Sequence, residues 1–244
     1  MAVKTFPFIL QESYMITPSV KHFKFEVPHT PVFNYKPGQF ITIHFEHEGK
    51  MLRRSYSIAN EPQNHNLIEF AAGYVEKGPA SQLLFNLEPG AELNFNGPFG
   101  RLILKDDTPQ RYILVATSTG VTPYRAMMPE LKQRLLDNPN LEIVILQGVQ
   151  NREDILYDEA FCQFASTHPR ATFWKHLSRE TQPLRSHEKP GYVQSSFDSL
   201  KLDPKEDMVY LCGNPAMIDE SFAYLKDKGF EMQSIVREKY ISAK

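Results

Sequence analysis

The sequence predicts two domains, an N-terminal antiparallel β-barrel over residues 1–103 and a C-terminal α/β domain with a doubly wound parallel sheet over residues 104–244. Three observations predict this. Apolar and polar residues alternate up to about residue 105. Beyond it the apolar residues gather into continuous runs. Two of those runs lead directly into proline-marked helix starts.

In the first part, Phe23, Phe25 and Val27 alternate with polar neighbours, as do Ile41, Ile43 and Phe45, and then Leu93 and Phe95. Turn signals separate these strands: Lys36-Pro37-Gly38, Glu88-Pro89-Gly90 and Gly97-Pro98. Several short antiparallel strands of this kind close most simply into a small barrel. One helical stretch, about Pro79 to Phe85, interrupts them.

In the second part, Tyr112–Ala116, Leu141–Leu146 and Met208–Cys212 read as parallel strands buried on both faces. One helix is expected to begin at Thr122, as its cap, with Pro123 in the first helical position. Another begins at Asn214, with Pro215 next and Gly229 past its end. Pro129 inside the first helix is expected to kink it. Strand alternating with helix gives a doubly wound sheet, whose ligands sit at the carboxyl ends of the strands. Thr117–Pro123 and Gly213–Pro215 then flank one crevice, and the chemistry is expected at the domain boundary.

Composition narrows the function. A chain of 244 residues with 41% hydrophobic and 23% charged residues can bury a core, and its net charge of -2 calls for neither nucleic acid nor an anionic membrane as partner. No apolar run approaches the roughly 20 residues of a membrane span. Cys162 and Cys212 form no CxxC pair, so no zinc ribbon and no iron–sulfur cluster is expected, and a reducing cytoplasm is the plain reading. His44 and His47 fall on opposite faces of a strand, so no metal site is expected. There is no G-x-S-x-G to suggest a hydrolase.

Five short segments carry possible chemistry. Arg54 in Arg53-Arg54-Ser55-Tyr56-Ser57 can grip a pyrophosphate bidentately, with the Tyr56 ring on the same side of the strand for stacking, and the serine next to it, Ser57, can hydrogen-bond a ring nitrogen. Gly78-Pro79-Ala80-Ser81 opens a helix, where a small-residue turn admits a phosphate. Gly97-Pro98-Phe99-Gly100 is a tight turn. Thr119-Gly120-Val121-Thr122-Pro123 occupies a dinucleotide-binding position without the G-x-G-x-x-G pattern. Leu211-Cys212-Gly213-Asn214-Pro215 repeats that arrangement and brings a polarizable thiol to the crevice. Taken singly, each also fits a structural role: a charged strand edge, a capped helix, a turn, an ordinary loop, a packed cysteine.

In this order and spacing, the segments resemble the ferredoxin/flavodoxin–NADP(+) reductase family of the FAD-dependent, bacterial type. R-S-Y-S at Arg54–Ser57, G-P-A-S at Gly78–Ser81, G-P-F-G at Gly97–Gly100, S-T-G-V-T-P at Ser118–Pro123 and Y-L-C-G-N-P at Tyr210–Pro215 carry the likeness across nearly the whole chain. The resemblance implies that Arg54 binds the FAD pyrophosphate, with Ser55 beside it in the motif, that Tyr56 stacks on the isoalloxazine and that Ser57 reaches its N5. It puts Tyr74 and Val75 along the ribityl or adenine side and has Gly78 and Ser81 hold phosphate. Thr119, Gly120 and Thr122 would meet the pyrophosphate and nicotinamide of NAD(P)H, beside Cys212, Gly213 and Asn214. The tail Val236-Arg237-Glu238-Lys239-Tyr240 resembles the family's C-terminal strand, whose acidic and aromatic residues, here Glu238 and Tyr240, approach the flavin. Ser57, Cys212 and Glu238 are the expected catalytic groups.

The chain departs from the pattern in two places. Ser118 stands where the family has glycine, which adds a side chain beside the cofactor phosphates. Four residues follow Tyr240, which puts its position over the flavin in question.

Leu177-Ser178-Arg179-Glu180 resembles the S-R-E of bacterial NADP-linked members, so Ser178 and Arg179 are expected to cradle the ribose 2′-phosphate. The second arginine of that pattern is missing, since the G-R pair reads Gly191-Tyr192 here. Arg185 or Arg152 could substitute from a loop. The activity implied is electron transfer between NADPH, with NAD also possible, and a ferredoxin- or flavodoxin-like carrier. An NADH-dependent reductase component of an oxygenase and a non-catalytic flavin-binding module are the alternatives.

Overall fold

The computed structural model describes residues 5–28, 33–62 and 66–241. They fall into two compact units, Met1–Leu104 with Thr122–Met127, and Lys105–Val121 with Met128–Lys244.

The first unit is built on β1 (Phe6–Thr17), β2 (Val20–Glu26), β3 (Phe40–His47), β4 (Lys50–Ser57), β5 (Leu67–Gly73) and β6 (Glu92–Phe99), in the order β4-β3-β6-β1-β2-β5. Every pairing is antiparallel. A bridge between Ile58, just past β4, and Phe70 on β5 joins the two edges and closes the barrel. The alternation seen in the sequence is the inside and outside of this wall: Phe8, Phe23, Phe25, Ile41, Phe70 and Phe95 are fully buried. Their rings pack on one another, with Phe25 and Phe70 stacked at 5.6 Å and 6°. The helix α1 (Pro79–Phe85) buries Ala80, Ser81 and Leu84.

The second unit holds β7 (Arg111–Thr117), the later turns of α2 (Thr122–Asp137), β8 (Glu142–Val149), α3 (Asp158–Thr167), β9 (Ala171–Leu177), β10 (Glu188–Pro190), α4 (Phe197–Leu200), β11 (Asp207–Gly213), α5 (Pro215–Asp227) and β12 (Ile235–Lys239). The strands run parallel in the order β10-β9-β8-β7-β11-β12. From β7 the chain winds to one side through β8, β9 and β10, then returns to β7's other flank as β11. The β7–β11 junction is therefore the switch point of the sheet, where ligands of such sheets bind. All of β11 is buried, and so is Tyr112–Ala116 of β7. Sheets covered on both faces need such unbroken apolar runs.

Two helix starts differ in kind. Asn214 caps α5 as the sequence predicts, its side-chain oxygen accepting from Ala216 N at 2.8 Å and Met217 N at 3.4 Å. Thr122 is not a cap. A 3₁₀ turn over Ser118–Val121 runs straight into α2, so Val121 takes the cap place and Thr122 is already helical. The helix continues through Pro129 to Asp137. Among the described residues no helix is long and apolar enough to cross a membrane, and no His, Cys, Asp and Glu cluster could hold a metal ion.

Candidate functional site

On β4, Arg54 and Tyr56 share one side of the strand, as a period of two requires. Arg54 is half-buried. Its Nη1 donates to the Arg53 carbonyl at 2.7 Å, and no carboxylate among the described residues pairs with it. The Tyr56 ring lies on Phe70 at 4.9 Å and 26°. Burial, partly opposed by Arg54, pushes its phenol up to about 12, so it stays neutral. Ser55 turns to the other side and bonds Thr42 Oγ1 at 2.9 Å, while Ser57 is buried.

The segment Tyr74–Ser81 folds into a tight loop at the head of α1. Val75 N donates to Ser81 Oγ at 2.8 Å, and Gly78 N donates to the Val75 carbonyl at 2.9 Å. A Cβ on Gly78 would lie 3.0 Å from Val75 Cβ, a tight contact that the small residue relieves. Tyr74 and Val75 are half-exposed, and Tyr74 meets Phe85 edge-on at 5.2 Å.

The barrel unit also holds a polar cluster that sequence reading misses. Arg125, in the first turns of α2, donates to Glu69 Oε2 at 2.8 Å and to the Ala59 carbonyl at 2.8 Å. His22 Nε2 lies 3.3 Å from the same Glu69 oxygen. Burial raises the Glu69 carboxyl, but bonds from His22 and Arg125 outweigh it and hold the group at about 2. Thr122, three residues before Arg125, is buried, and its hydroxyl has no partner among the described residues. The signal available was one arginine a helical turn beyond Thr122.

In the second unit, the ends of β7 and β11 meet through glycine. A Cβ on Gly120 would come within 2.3 Å of the Cys212 carbonyl oxygen, and one on Gly213 within 2.5 Å of Thr117 Oγ1. Gly213 also has φ +119, which favours glycine. Thr117 Oγ1 accepts from Asn214 N at 2.8 Å, locking the two loops together. Thr119 is half-buried and Ser118 exposed. Ser118 has φ +47, the left-handed region, so the glycine of the family pattern has a conformational reason here.

Cys212 is fully buried, and in register it faces Glu238 of β12. Burial, and then Glu238, push its thiol well above the usual range, against a bond from Tyr240. Tyr240 N donates to the Gly213 carbonyl at 2.8 Å, which fixes the chain just past β12 to the end of β11.

Ser178 and Arg179 follow β9. Ser178 Oγ donates to the Val149 carbonyl at 3.2 Å, and the Arg179 guanidinium is exposed, with no ion pair among the described residues. Arg152 differs from expectation. Its guanidinium is spent on a bidentate bond to Glu188, at 2.8 and 2.7 Å, and on the Pro183 carbonyl at 2.9 Å, so it is no substitute for the missing second arginine. Arg185 is exposed, and its side chain has no ion pair among the described residues.

These residues fit two dinucleotides. A guanidinium without a carboxylate partner among the described residues, beside an aromatic face on β4, suits a flavin dinucleotide. In the second unit, Gly120 and Gly213 let the ends of β7 and β11 close on each other at the switch point of the sheet, the place where sheets of this kind bind a dinucleotide. The fold and these features define a two-cofactor flavin and nicotinamide oxidoreductase. Residues 7–103 match the oxidoreductase FAD-binding domain and residues 114–221 the oxidoreductase NAD-binding domain. Ferredoxin–NADP reductase B of Sorangium cellulosum is 32% identical over 210 residues, covering 83% of this chain and 84% of that one. The reductase component DmpP of phenol 2-monooxygenase from Pseudomonas is 25% identical over 93% of this chain and 63% of its own. A ferredoxin NADP+ reductase from Neisseria gonorrhoeae, solved with FAD and NADP, shares the fold with a TM-score of 0.83 at 20% identity over 98% of this chain and 99% of that one. The chain belongs to the ferredoxin–NADP reductase family.

Proposed function

We propose that this protein is a reductase that moves electrons between NADPH and a one-electron carrier of the ferredoxin or flavodoxin kind, with residues 1–103 carrying FAD and residues 104–244 the nicotinamide coenzyme. The observation that carries the reading is the glycine-built junction of β7 and β11 at the switch point of the sheet, where Gly120 and Gly213 pack the two loops together beside the buried Cys212. FAD, when bound, accepts a hydride as an electron pair and releases electrons singly.

In this reading Arg54 anchors the FAD pyrophosphate, Tyr56 lies against the flavin, Ser55 steadies the motif from the other side of β4 through Thr42, and Ser57 offers its hydroxyl to N5. Tyr74, Val75, Gly78 and Ser81 enclose the other end. Gly120 and Gly213 admit the coenzyme backbone, Thr119, Thr122 and Asn214 orient it, and Ser178 with Arg179 grips the 2′-phosphate. Cys212 supplies a neutral, polarizable wall, and Glu238 and Tyr240 hold that wall in place. Two unpaired cysteines, Cys162 and Cys212, accord with a cytoplasmic location.

The test is NADPH oxidation with ferredoxin, flavodoxin or neither present, following the carrier's own absorbance. Two carriers reduced per NADPH is the expected result. The reading fails if no carrier accelerates NADPH consumption. A second reading, an NADH-dependent reductase component of an oxygenase, has Gly191-Tyr192 in its favour, where the NADP-linked pattern has Gly-Arg. A higher kcat/KM with NADH would select it.

A further inference from the structure

Two loops of the second unit are laced together where Ser178 and Arg179 emerge. Ser178 N donates to the Val149 carbonyl at 3.0 Å and Arg179 N to the Gln150 carbonyl at 2.8 Å. Two residues on, Arg152 takes over. Its backbone N–H donates to Glu180 Oε2 at 3.0 Å, and its Nη1 lies 3.7 Å from the same carboxylate. Its Nε and Nη2 hold both oxygens of Glu188, and Nη2 also reaches the Pro183 carbonyl. The remaining acceptor positions are taken by loop amides: Gln182 N on Glu180 at 2.9 Å and Arg185 N on Glu188 at 2.7 Å. Residues 178–188 are thus wrapped around one guanidinium.

The charges of the loop are sorted by this arrangement. Its two acids, Glu180 and Glu188, have side chains only 9% and 1% exposed and point inward to Arg152. The guanidinium of Arg152 and these amides hold both carboxyls below the usual range, Glu188 at about 2, so both are ionised at neutral pH. The cations left facing outward, Arg179 and Arg185, have no acidic partner among the described residues. A dianionic phosphate meeting this surface encounters two arginines and not two carboxylates. Without Arg152 the acids would lose their counter-charge, and a buried carboxylate without a partner is driven toward water. They would then compete with a phosphate for the outward arginines.

We propose that Arg152 is a positioning residue for coenzyme selection: it fixes the Ser178–Arg179 turn and withdraws Glu180 and Glu188 from the ribose 2′-phosphate, without touching the phosphate itself. The inference rests on the reading that Ser178 and Arg179 meet that phosphate. It assigns selectivity to a residue behind the contact surface, since a nucleotide lacking the phosphate has nothing to lose when the acids are released.

The test is calorimetric titration of the full-length, FAD-loaded protein with 2′,5′-ADP and with 5′-AMP. Arg152→Gln should weaken 2′,5′-ADP on the order of tenfold and leave 5′-AMP within about twofold, a split that general loosening of the fold would not produce. Adding Glu180→Gln to it should recover part of the loss, because one released charge is gone. Arg152→Lys keeps the charge but not the two-pronged bond; it should lose affinity for 2′,5′-ADP alone, and it serves if the glutamine variant does not accumulate. Equal weakening of both nucleotides, or wild-type affinity in both Arg152 variants, overturns the proposal. Arg179→Ala separates the layers. If it abolishes the preference for 2′,5′-ADP while the Arg152 variants keep it, the positioning role alone is wrong. If Arg179→Ala changes nothing, the phosphate subsite is wrong and the proposal falls with it.

Discussion

Cys212 faces Glu238 across the parallel register of β11 and β12, with the thiol fully buried. Burial and this neighbour keep the thiol protonated at neutral pH, so it is a packing wall and not a nucleophile. Cys212 should resist alkylation at pH 8 under conditions that modify the exposed Cys162. Cys212→Ser and Glu238→Gln should each slow flavin reduction in stopped flow while leaving the FAD content unchanged. Rates within about twofold of wild type for both would remove them from the mechanism.

The Glu69 carboxyl, held by His22 and Arg125, makes the barrel unit acid-sensitive. Its folded-state value is depressed, so its contribution is complete above the ordinary value of 4.5 and is lost as pH falls from there toward about 2, roughly 3 kcal/mol in all. Glu69→Gln removes that titration. Thermal melts between pH 6 and pH 3 should show the wild type falling more steeply below pH 5 than the variant. Parallel curves would contradict the assignment.

Ser118 carries a left-handed φ of +47 in the turn before Thr122. Ser118→Gly should relieve about 1 kcal/mol of backbone strain, and a somewhat higher Tm should follow. It also removes a side chain from the loop assigned to the coenzyme, so KM for NADPH should fall. A variant that melts lower and binds NADPH no better would refute both points.

The parallel sheet was the most legible part of the fold, because strands covered on both faces must be continuous apolar runs, as Tyr112–Ala116 and Met208–Cys212 are. The barrel was legible where alternation is clean, at Ile41, Ile43 and Phe45. β1 was hidden because register shifts between Leu10 and Glu12 and between Met15 and Thr17 break its period. Thr122 reads as a cap in the sequence because threonine before proline is a capping signal, and the 3₁₀ turn that feeds α2 leaves no such signal of its own. Among site residues, the motif segments could be seen in the chain. Arg125 with Glu69, and Arg152 with Glu180 and Glu188, could not, since each pair joins residues about 28 or more apart that carry no local pattern.

Arg54 is the cation on which flavin retention should depend. Arg54→Ala should purify with little or no FAD, while its far-ultraviolet circular dichroism stays that of the wild type. A variant that keeps its full flavin load would show that Arg54 is only a charged residue on a strand edge.

The central claim is that NADPH delivers hydride to a flavin held by this chain. Anaerobic titration of the purified protein with NADPH, followed by visible absorption, tests it most directly. The account predicts a yellow protein whose flavin bands bleach with about one equivalent of NADPH and return when an oxidised one-electron carrier is added. A yellow protein whose spectrum is unchanged by either NADPH or NADH would be a flavin-binding module without turnover, and would contradict it.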